Sequence, residues 1–518
     1  MRRGKWLRVT VVAVVLAAVG VGGVELVASA QKEVRPIRVG TTDTVTSLDP
    51  AGAYDAGSWA LFSNVYQSLL TYSRGTTAPV PDAAQHCGFV GHALTTYRCE
   101  LREDARFADG REMTARDVKY SFDRIRRIAS PQGPAPLLAT LKDVTAEGRR
   151  VTFRLSAPDA TFPFKIATGA GSIVDSKRYP ADRLIDGAQT FGSGPYALQS
   201  YEKGRRAELR PNVNYEGAIE EAGQPVSVRY YPDPADLSRA WHKSQVEVVG
   251  RQLTPDDVAP TSPPGPDVRV TENADADTRS MVFNLRPGSP MAKREVRQAI
   301  AAVMDRPTLS RRVYQRTVEP LYSLIPQGID GHSTAFFERY PKPDPDAARA
   351  LLEKAGVSIP VRFDLAYSQG SAVDYEATEL RRQLEASGLF KVHTQRYEWT
   401  EFQKGYAKGA YDAYCVGWLA DFPDPETFTQ SLVGSGGTLH SGYRSAYVDQ
   451  LLRNTEREPE RGRTRDDFRA LQKRIAQDVP LVPLWQRKGY VLSKVEVSGT
   501  EYLADGTGLW RLWKLTRS

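Results

Sequence analysis

A tryptophan, a carboxylate and two prolines lie close together in segment 417–425, Gly-Trp-Leu-Ala-Asp-Phe-Pro-Asp-Pro, directly after the apolar run 414–416. An apolar strand that ends in Gly, Pro and Asp delivers its last side chains to a loop, where ligands are commonly bound. The first cation downstream of Asp421 is Arg444. A carboxylate beside an aromatic ring, with no local partner, suits a cationic group such as an ammonium. The alternative is a solvated loop acid next to a surface-packed Trp418.

The composition describes a globular protein with more than one core. The chain has 518 residues, of which 41% are hydrophobic and 25% charged, so two or three lobes are expected. The net charge is +7, and four basic residues against one acid in the first thirty account for +3 of it. The remaining excess is spread among acids, and no basic run alternates with aromatic residues. Nucleic-acid binding is therefore not expected.

The N-terminus has the pattern of an export signal. Residues 1–8 are cationic, residues 9–24 are apolar, and Ala28-Ser29-Ala30 supplies the small residues that a signal peptidase accepts. We expect cleavage after Ala30 and an extracytoplasmic location. The alternative is an uncleaved anchor, because sixteen apolar residues approach the roughly 17 that span a membrane. No cysteine directly follows the apolar run, which argues against lipidation.

The three cysteines are Cys87, Cys99 and Cys415. Cys87 and Cys99 enclose a short segment with a Gly91-His92 turn, and export favours a disulfide between them. Cys415 lies in an apolar run and is expected to be a buried free thiol. A metal site using His86 and His92 is the weaker alternative, because it lacks further soft ligands.

Hydrophobic periodicity and turn residues predict alternating strands and helices in the second half, which is typical of an α/β lobe. A helix is expected over 58–70, and Gly110 should adopt a positive φ in a tight turn. Thr114 and Asp117 form a predicted capping box, and Asp344-Pro345 should begin another helix. Strands are expected at 37–40, 97–101, 151–155, 197–201, 226–231, 281–285, 361–366, 391–397, 412–418 and 481–485.

The motifs of common enzyme classes are missing from the sequence. It contains no Gly-x-Ser-x-Gly, no His-Glu-x-x-His and no phosphate-binding loop ending in Gly-Lys-Ser/Thr. Ser200 and Lys203 match Ser-x-x-Lys, but they lie on a predicted strand without companion motifs. We therefore expect no enzymatic activity and no cofactor, although an exported hydrolase built from assembled carboxylates stays an alternative.

The order of several segments resembles the dipeptide/oligopeptide-binding family of extracellular solute-binding proteins, family 5, which supply ABC importers. Each segment is weak alone, but their joint order is specific. The segments that carry the resemblance are 48–50, 64–69, 101–102, 107–110, 114–122, 192–196, 296–300, 305–306, 417–421 and 424–425.

The resemblance implies an α/β fold, a two-lobed clamp with an additional subdomain in the N-terminal half. We expect a signal at 1–30, a first lobe from 31–75, 192–278 and 490–518, the additional subdomain at 76–191, and a second lobe at 279–489. In peptide-binding relatives the acid matching Asp421 pairs with the ligand's ammonium, and the residue matching Trp418 lines the pocket. The implied partners are a peptide or peptide-like ligand and an ABC importer permease, and the protein is expected to be a monomer. A sugar, opine or metal chelate is the alternative cargo, and binding without transport is another.

Overall fold

The structure is a computed structural model. It describes residues 34–73, 77–220, 223–250, 253–259, 265–368, 373–504, 507 and 509–517. The predicted export signal at 1–30 lies outside the described residues. Within these ranges, no helix is both long enough and apolar enough to cross a bilayer.

The β-strands are numbered in chain order. They are β1 (Ile37–Thr41), β2 (Leu70–Tyr72), β3 (Pro79–Pro81), β4 (Ala84–Phe89), β5 (Thr96–Leu101), β6 (Leu141–Glu147), β7 (Arg150–Leu155), β8 (Tyr196–Glu202), β9 (Arg206–Pro211), β10 (Val226–Tyr230), β11 (Val248–Gly250), β12 (Val268–Phe283), β13 (Val318–Pro320), β14 (Val361–Ser368), β15 (Phe390–Tyr397), β16 (Ala413–Trp418), β17 (Leu481–Lys494), β18 (Val497–Ser498) and β19 (Thr516–Arg517).

The α-helices are numbered in the same way. They are α1 (Ala56–Val65), α2 (Ala115–Ile128), α3 (Phe162–Ile166), α4 (Pro234–His242), α5 (Pro255–Val258), α6 (Arg294–Val303), α7 (Arg306–Arg312), α8 (Ala335–Arg339), α9 (Pro345–Lys354), α10 (Val373–Ala386), α11 (Trp399–Lys408), α12 (Glu426–Val433), α13 (Ala446–Thr455) and α14 (Arg465–Asp478).

One large mixed sheet runs through the molecule in the order β15-β14-β16-β12-β17-β11-β1-β10-β9-β8, and β13 pairs with β17 at its side. At one end, β14 is parallel to both β15 and β16. At the other end, β1 is parallel to both β10 and β11. Parallel strands joined by helical crossovers form two separate α/β portions of this sheet.

The two portions are joined by the long antiparallel pair β12 and β17. Strand β17 pairs with β12 from Leu481 to Lys494, and its residues Val491 to Ser493 also pair with β11 on the other side. The β12–β17 register shifts between Ala274 and Thr278 and again between Arg279 and Ser280. A register shift interrupts the ladder and lets a strand bend locally.

The buried hydrophobic side chains fall into two large clusters and one small one. The first core cluster contains residues between 37 and 248, Phe422, and residues 491–515. The second core cluster spans residues 276–485. The small cluster is formed around Leu237 and Trp241. The boundaries predicted for the signal, the lobes and the additional subdomain stay predictions.

A separate four-stranded antiparallel sheet, β4-β5-β7-β6, belongs to the first core cluster. We call residues 84–171, which contain this sheet, α2 and α3, the small-sheet region. Helix α2 begins at the predicted capping box, in which the Thr114 hydroxyl accepts from the Asp117 N–H and the Asp117 carboxylate accepts from the Thr114 N–H. Gly110 adopts the predicted positive φ of 88°.

The cysteine predictions are confirmed. Cys87 and Cys99 are paired across β4 and β5 and form a disulfide with an S–S distance of 2.01 Å. Cys415 is a buried free thiol on β16.

The predicted helix over 58–70 is wrong at both ends. Helix α1 covers Ala56–Val65, and Asp55 caps it by accepting from the Ser58 N–H. Tyr66 is extended, with φ −117° and ψ 153°, so the chain leaves the helix there. Leu69 and Leu70 are buried in the same core cluster from the following segment, which explains why their spacing continued the helical pattern.

Removing the disulfide should destabilise the protein. The Cys87–Cys99 bond closes a loop with a sequence separation of 12, for which the chain-entropy model gives about 3 kcal/mol of stabilisation. We expect the variant C87A/C99A to lose about this much unfolding free energy in urea titrations. The native protein should lose a similar amount after reduction, whereas the variant should not respond to the reductant. Equal stability of native and variant would contradict the prediction.

Candidate functional site

Strand β16 positions the predicted site residues. It lies between β14, to which it is parallel, and β12, to which it is antiparallel. Trp418 is its last residue, and the Thr278 hydroxyl on β12 donates to the Trp418 carbonyl at 3.3 Å. The chain then turns through the loop 419–425 into α12, with Pro425 at the cap position. Asp421 is therefore carried on a short loop whose two ends are fixed by regular structure.

The Asp421 side chain has partners that the sequence did not reveal. Its backbone N–H donates to the Thr427 hydroxyl at 3.1 Å, and that hydroxyl lies 3.3 Å from the carboxylate Oδ2. The Tyr54 hydroxyl, from the segment before α1, also bonds to the carboxylate. The expectation of a carboxylate without any internal partner is therefore wrong. Sequence distance explains the error, because Tyr54 lies far from Asp421 along the chain.

Burial dominates the electrostatics of Asp421. It raises the pKa of the carboxyl to about 6, although the hydrogen bonds from Tyr54 and Thr427 and the charge of Lys165 act in the opposite direction. Asp421 forms no ion pair with a described Lys, Arg or His, because Lys165 is bonded to Asp159 and Glu426 instead. At neutral pH the site therefore holds an ionised, partly buried carboxylate whose hydrogen bonds from described side chains come from hydroxyl groups.

Trp418 is the last residue of β16, three positions before Asp421 in the sequence. Its ring is partly buried and packs against the second core cluster. Within the part of the chain that the structure describes, its buried indole N–H has no hydrogen-bond acceptor. A buried donor without an acceptor is unfavourable, and it marks a position where a ligand oxygen could be bound.

A small cavity lies beside β12, the strand that pairs with β16. Its volume is about 40 Å³, and Gly250, Asn273, Asp275, Arg487, Tyr490 and Trp510 are among its lining residues. Arg487 pairs with Asp277 at 2.8 Å, and a Cβ placed on Gly417 would lie 3.7 Å from the Asp277 carboxylate. The Arg487 and Asp277 side chains therefore lie between the cavity and Gly417 on β16. The cavity lies where β11, β12 and β17 meet.

Two further groups of charged residues surround the loop. Asp424 forms a two-pronged pair with Arg461 at 2.7 and 2.8 Å. Glu426 contacts Lys165 and the Thr161 hydroxyl of the small-sheet region. None of these pairings was predicted from the sequence, because they depend on the tertiary fold. Among the described residues, no group of three or more His, Cys, Asp or Glu side chains is arranged to hold a metal ion.

Comparison with known proteins agrees with this architecture. The model of the family "Bacterial extracellular solute-binding proteins, family 5 Middle" matches residues 78–439. The chain belongs to this family. The match includes β12, β16, the Asp421 loop and the whole small-sheet region.

The relatives of this family 5 protein include transport proteins from several bacteria. It is 27% identical to the probable D,D-dipeptide-binding periplasmic protein DdpA of Escherichia coli K12, over 89% of this chain and 90% of the relative. It superimposes with a TM-score of 0.79 on the periplasmic binding protein DppA of Helicobacter pylori in complex with peptide STSA, at 21% identity, over 94% and 99% of the two chains.

A second solved structure is the complex of AgaA from A. tumefaciens R10 with agropinic acid, with a TM-score of 0.76, 22% identity, and coverage of 93% and 99%. These similarities confirm the predicted fold, a two-lobed α/β clamp of the periplasmic-binding-protein type.

The raised pKa of Asp421 predicts a pH-dependent stability. The folded-state pKa of about 6 exceeds the ordinary value of 3.8, so the stability contributed by this group is present below pH 4 and is lost as pH rises through 6. Asparagine has no carboxyl group to titrate, so the Asp421→Asn variant does not lose this stability as the pH rises. We expect its unfolding free energy, relative to the native protein, to rise by about 2 kcal/mol between pH 4 and pH 7.

Urea titrations at both pH values measure this difference. Asp466→Asn is a matched control, because the Asp466 side chain is 90% exposed, and its difference from the native protein should not change with pH. A pH-independent difference for Asp421→Asn would contradict the assigned pKa.

Proposed function

We propose that this protein captures peptides or peptide-like solutes outside the cytoplasm and delivers them to the permease of an ABC importer. Membership of family 5, the names of the relatives and the chemistry of the Asp421 loop support this function. In this proposal the protein is exported by its N-terminal signal, acts as a monomer, requires no cofactor and does not transform its ligand. No turnover is expected when it is incubated with a peptide library.

The observation that carries the proposal is the state of the Asp421 carboxylate. It is ionised at neutral pH, partly buried, and bonded to the hydroxyls of Tyr54 and Thr427, and it forms no ion pair with a described Lys, Arg or His. A ligand ammonium at this position would supply the missing positive charge and make a charge-assisted hydrogen bond. Peptides with a free N-terminus carry this group.

The remaining features of the site suit the main chain of a peptide. The Trp418 indole N–H can donate to a ligand carbonyl, which would satisfy a donor that is buried without a described acceptor. In peptide recognition, main-chain hydrogen bonds contribute affinity and pockets for side chains contribute specificity.

The alternative is the same clamp with a non-peptide cargo, such as a sugar, an opine or a metal chelate. The agropinic acid complex of AgaA shows that a protein with this fold can hold a ligand that is not a peptide. The two functions differ at Asp421. A peptide needs a carboxylate for its ammonium, whereas a neutral solute does not.

The Asp421→Asn variant tests the proposed function. Asparagine preserves the shape of the side chain and removes its charge, so it isolates the electrostatic contribution. We expect the affinity for a bound peptide to fall by about 2–4 kcal/mol, the range for losing one partner of a buried charge pair. Calorimetric titration with peptides identified by mass spectrometry of co-purified ligands measures the change.

Acetylation of the peptide N-terminus is the matching change on the ligand. The native protein should bind the acetylated peptide poorly. The Asp421→Asn substitution should weaken the binding of the acetylated peptide only slightly further. Asp466→Asn should bind both peptides like the native protein. If the native protein binds free and acetylated peptides equally, Asp421 does not hold an ammonium and a non-peptide cargo is favoured.

A further inference from the structure

The Asp421 loop is in direct contact with the small-sheet region, although the two segments lie far apart in the sequence. Phe422 is 2% exposed and belongs to the first core cluster. Strand β16, which leads into its loop, belongs to the second core cluster. Its ring centroid lies 6.1 Å from that of Phe164 on α3. The backbone N–H of Ala160 donates to the carbonyl of Glu456 at 2.9 Å. Both contacts join segments that must move apart if the two sides of the clamp separate.

The strongest contact at this junction is a buried charge cluster. Lys165 places its ammonium 2.9 Å from Asp159 and 3.3 Å from Glu426. The Thr161 hydroxyl lies 2.8 Å from Asp159 and 2.6 Å from Glu426. The exposed fractions of the three charged side chains are 11% for Lys165, 2% for Asp159 and 8% for Glu426. A charge buried this deeply is stable only while its partners are present.

The cluster has two parts, which come from different sides of the cleft. Lys165, Asp159 and Thr161 all belong to the small-sheet region and are bonded to one another. Burial works to raise the pKa of Asp159, yet the charge of Lys165 and its hydrogen bonds keep it below the ordinary value, so this pair is ionised. Glu426 is the first residue of α12 and arrives from the other side.

We propose that Lys165 and Glu426 are positioning residues that set ligand affinity without touching the ligand, because their contact holds the Asp421 loop against the small-sheet region. This inference rests on the proposed function in one respect, that ligand enters and leaves by opening of the clamp. Opening must separate Glu426 from Lys165 and Thr161. The contact therefore stabilises the closed arrangement and slows the release of ligand.

Glu426 and Asp424 provide a matched pair of variants. The two residues are two positions apart in the sequence and follow Asp421 closely. Each carboxylate contacts a buried cation. Glu426→Gln removes the negative charge that pairs with Lys165 across the junction and leaves the Lys165–Asp159 pair intact. Asp424→Asn removes an equal charge, but its partner Arg461 belongs to the same side of the junction. Asparagine also keeps an oxygen that can accept from the Glu426 N–H, which lies 2.9 Å away in the native protein.

The experiment has two readouts, the radius of gyration of the ligand-free protein by small-angle scattering and the dissociation rate of the dipeptide Ala-Ala by stopped flow. We expect Glu426→Gln to have a larger ligand-free radius than the native protein and a dissociation rate about tenfold faster, with an association rate within twofold. Asp424→Asn should match the native protein in radius and in dissociation rate.

The outcomes separate this inference from the proposed function. If the native protein does not bind Ala-Ala or other peptides, the proposed peptide function fails, and the ligand-free radii alone decide the inference. Equal radii and equal dissociation rates for Glu426→Gln and native protein would overturn it, as would an identical effect of Asp424→Asn. Should Glu426→Gln fail to fold by circular dichroism, Thr161→Val removes the bridging hydroxyl from the other side and must increase the radius in the same way.

Discussion

Backbone hydrogen bonds between β12 and β17 hold the two core clusters in one sheet. Each core cluster has its own parallel strands and helices. β17 contributes residues between Leu481 and Trp485 to the second cluster and Val491 to the first, and β12 pairs with it along its length. The ladder between them is regular except where its register shifts, between Ala274 and Thr278 and between Arg279 and Ser280. The cavity and the Asp421 loop both lie next to this stretch. The proposed ligand site therefore lies next to the two register shifts of this ladder.

Burial gives the Asp421 loop its chemical character. A carboxylate on an exposed loop would be hydrated and would bind an ammonium weakly, because water competes for both charges. Here Tyr54 approaches from the segment before α1, and Phe422 inserts into the first core cluster. Burial raises the pKa of the carboxyl, and the hydrogen bond from Tyr54 lowers it. In the proposed function, the packing of the loop would also strengthen the interaction of the carboxylate with a ligand cation, because less water competes for it.

Local sequence features predicted the parts of the structure that depend on short-range interactions. The capping box at Thr114, the Cys87–Cys99 disulfide and the strand that ends at Trp418 each depend on residues close in sequence. The resemblance to family 5 added the two-lobed fold, which periodicity alone could not provide.

The failures have physical reasons. The sequence predicted a strand only from Met281, whereas β12 begins at Val268, because its first half is polar and lies beside the cavity rather than in a core. The partners of Asp421 and Glu426 were missed because Tyr54 and Lys165 come from the first half of the chain. Such contacts leave no local pattern, since each residue alone looks like an ordinary surface tyrosine or lysine.

The order of strands in the large sheet has a consequence for the biosynthesis of the protein. β1, near the start of the described chain, pairs with β11, and β11 pairs with the last residues of β17. In addition, the Asn64 side chain donates to the Trp510 carbonyl at 2.8 Å. The first core cluster therefore cannot be completed until the C-terminal segment is available, which gives it a high contact order. A chain emerging from the ribosome would leave this cluster incompletely folded until residues 491–515 have been made, a state that would suit the proposed export through a translocation channel.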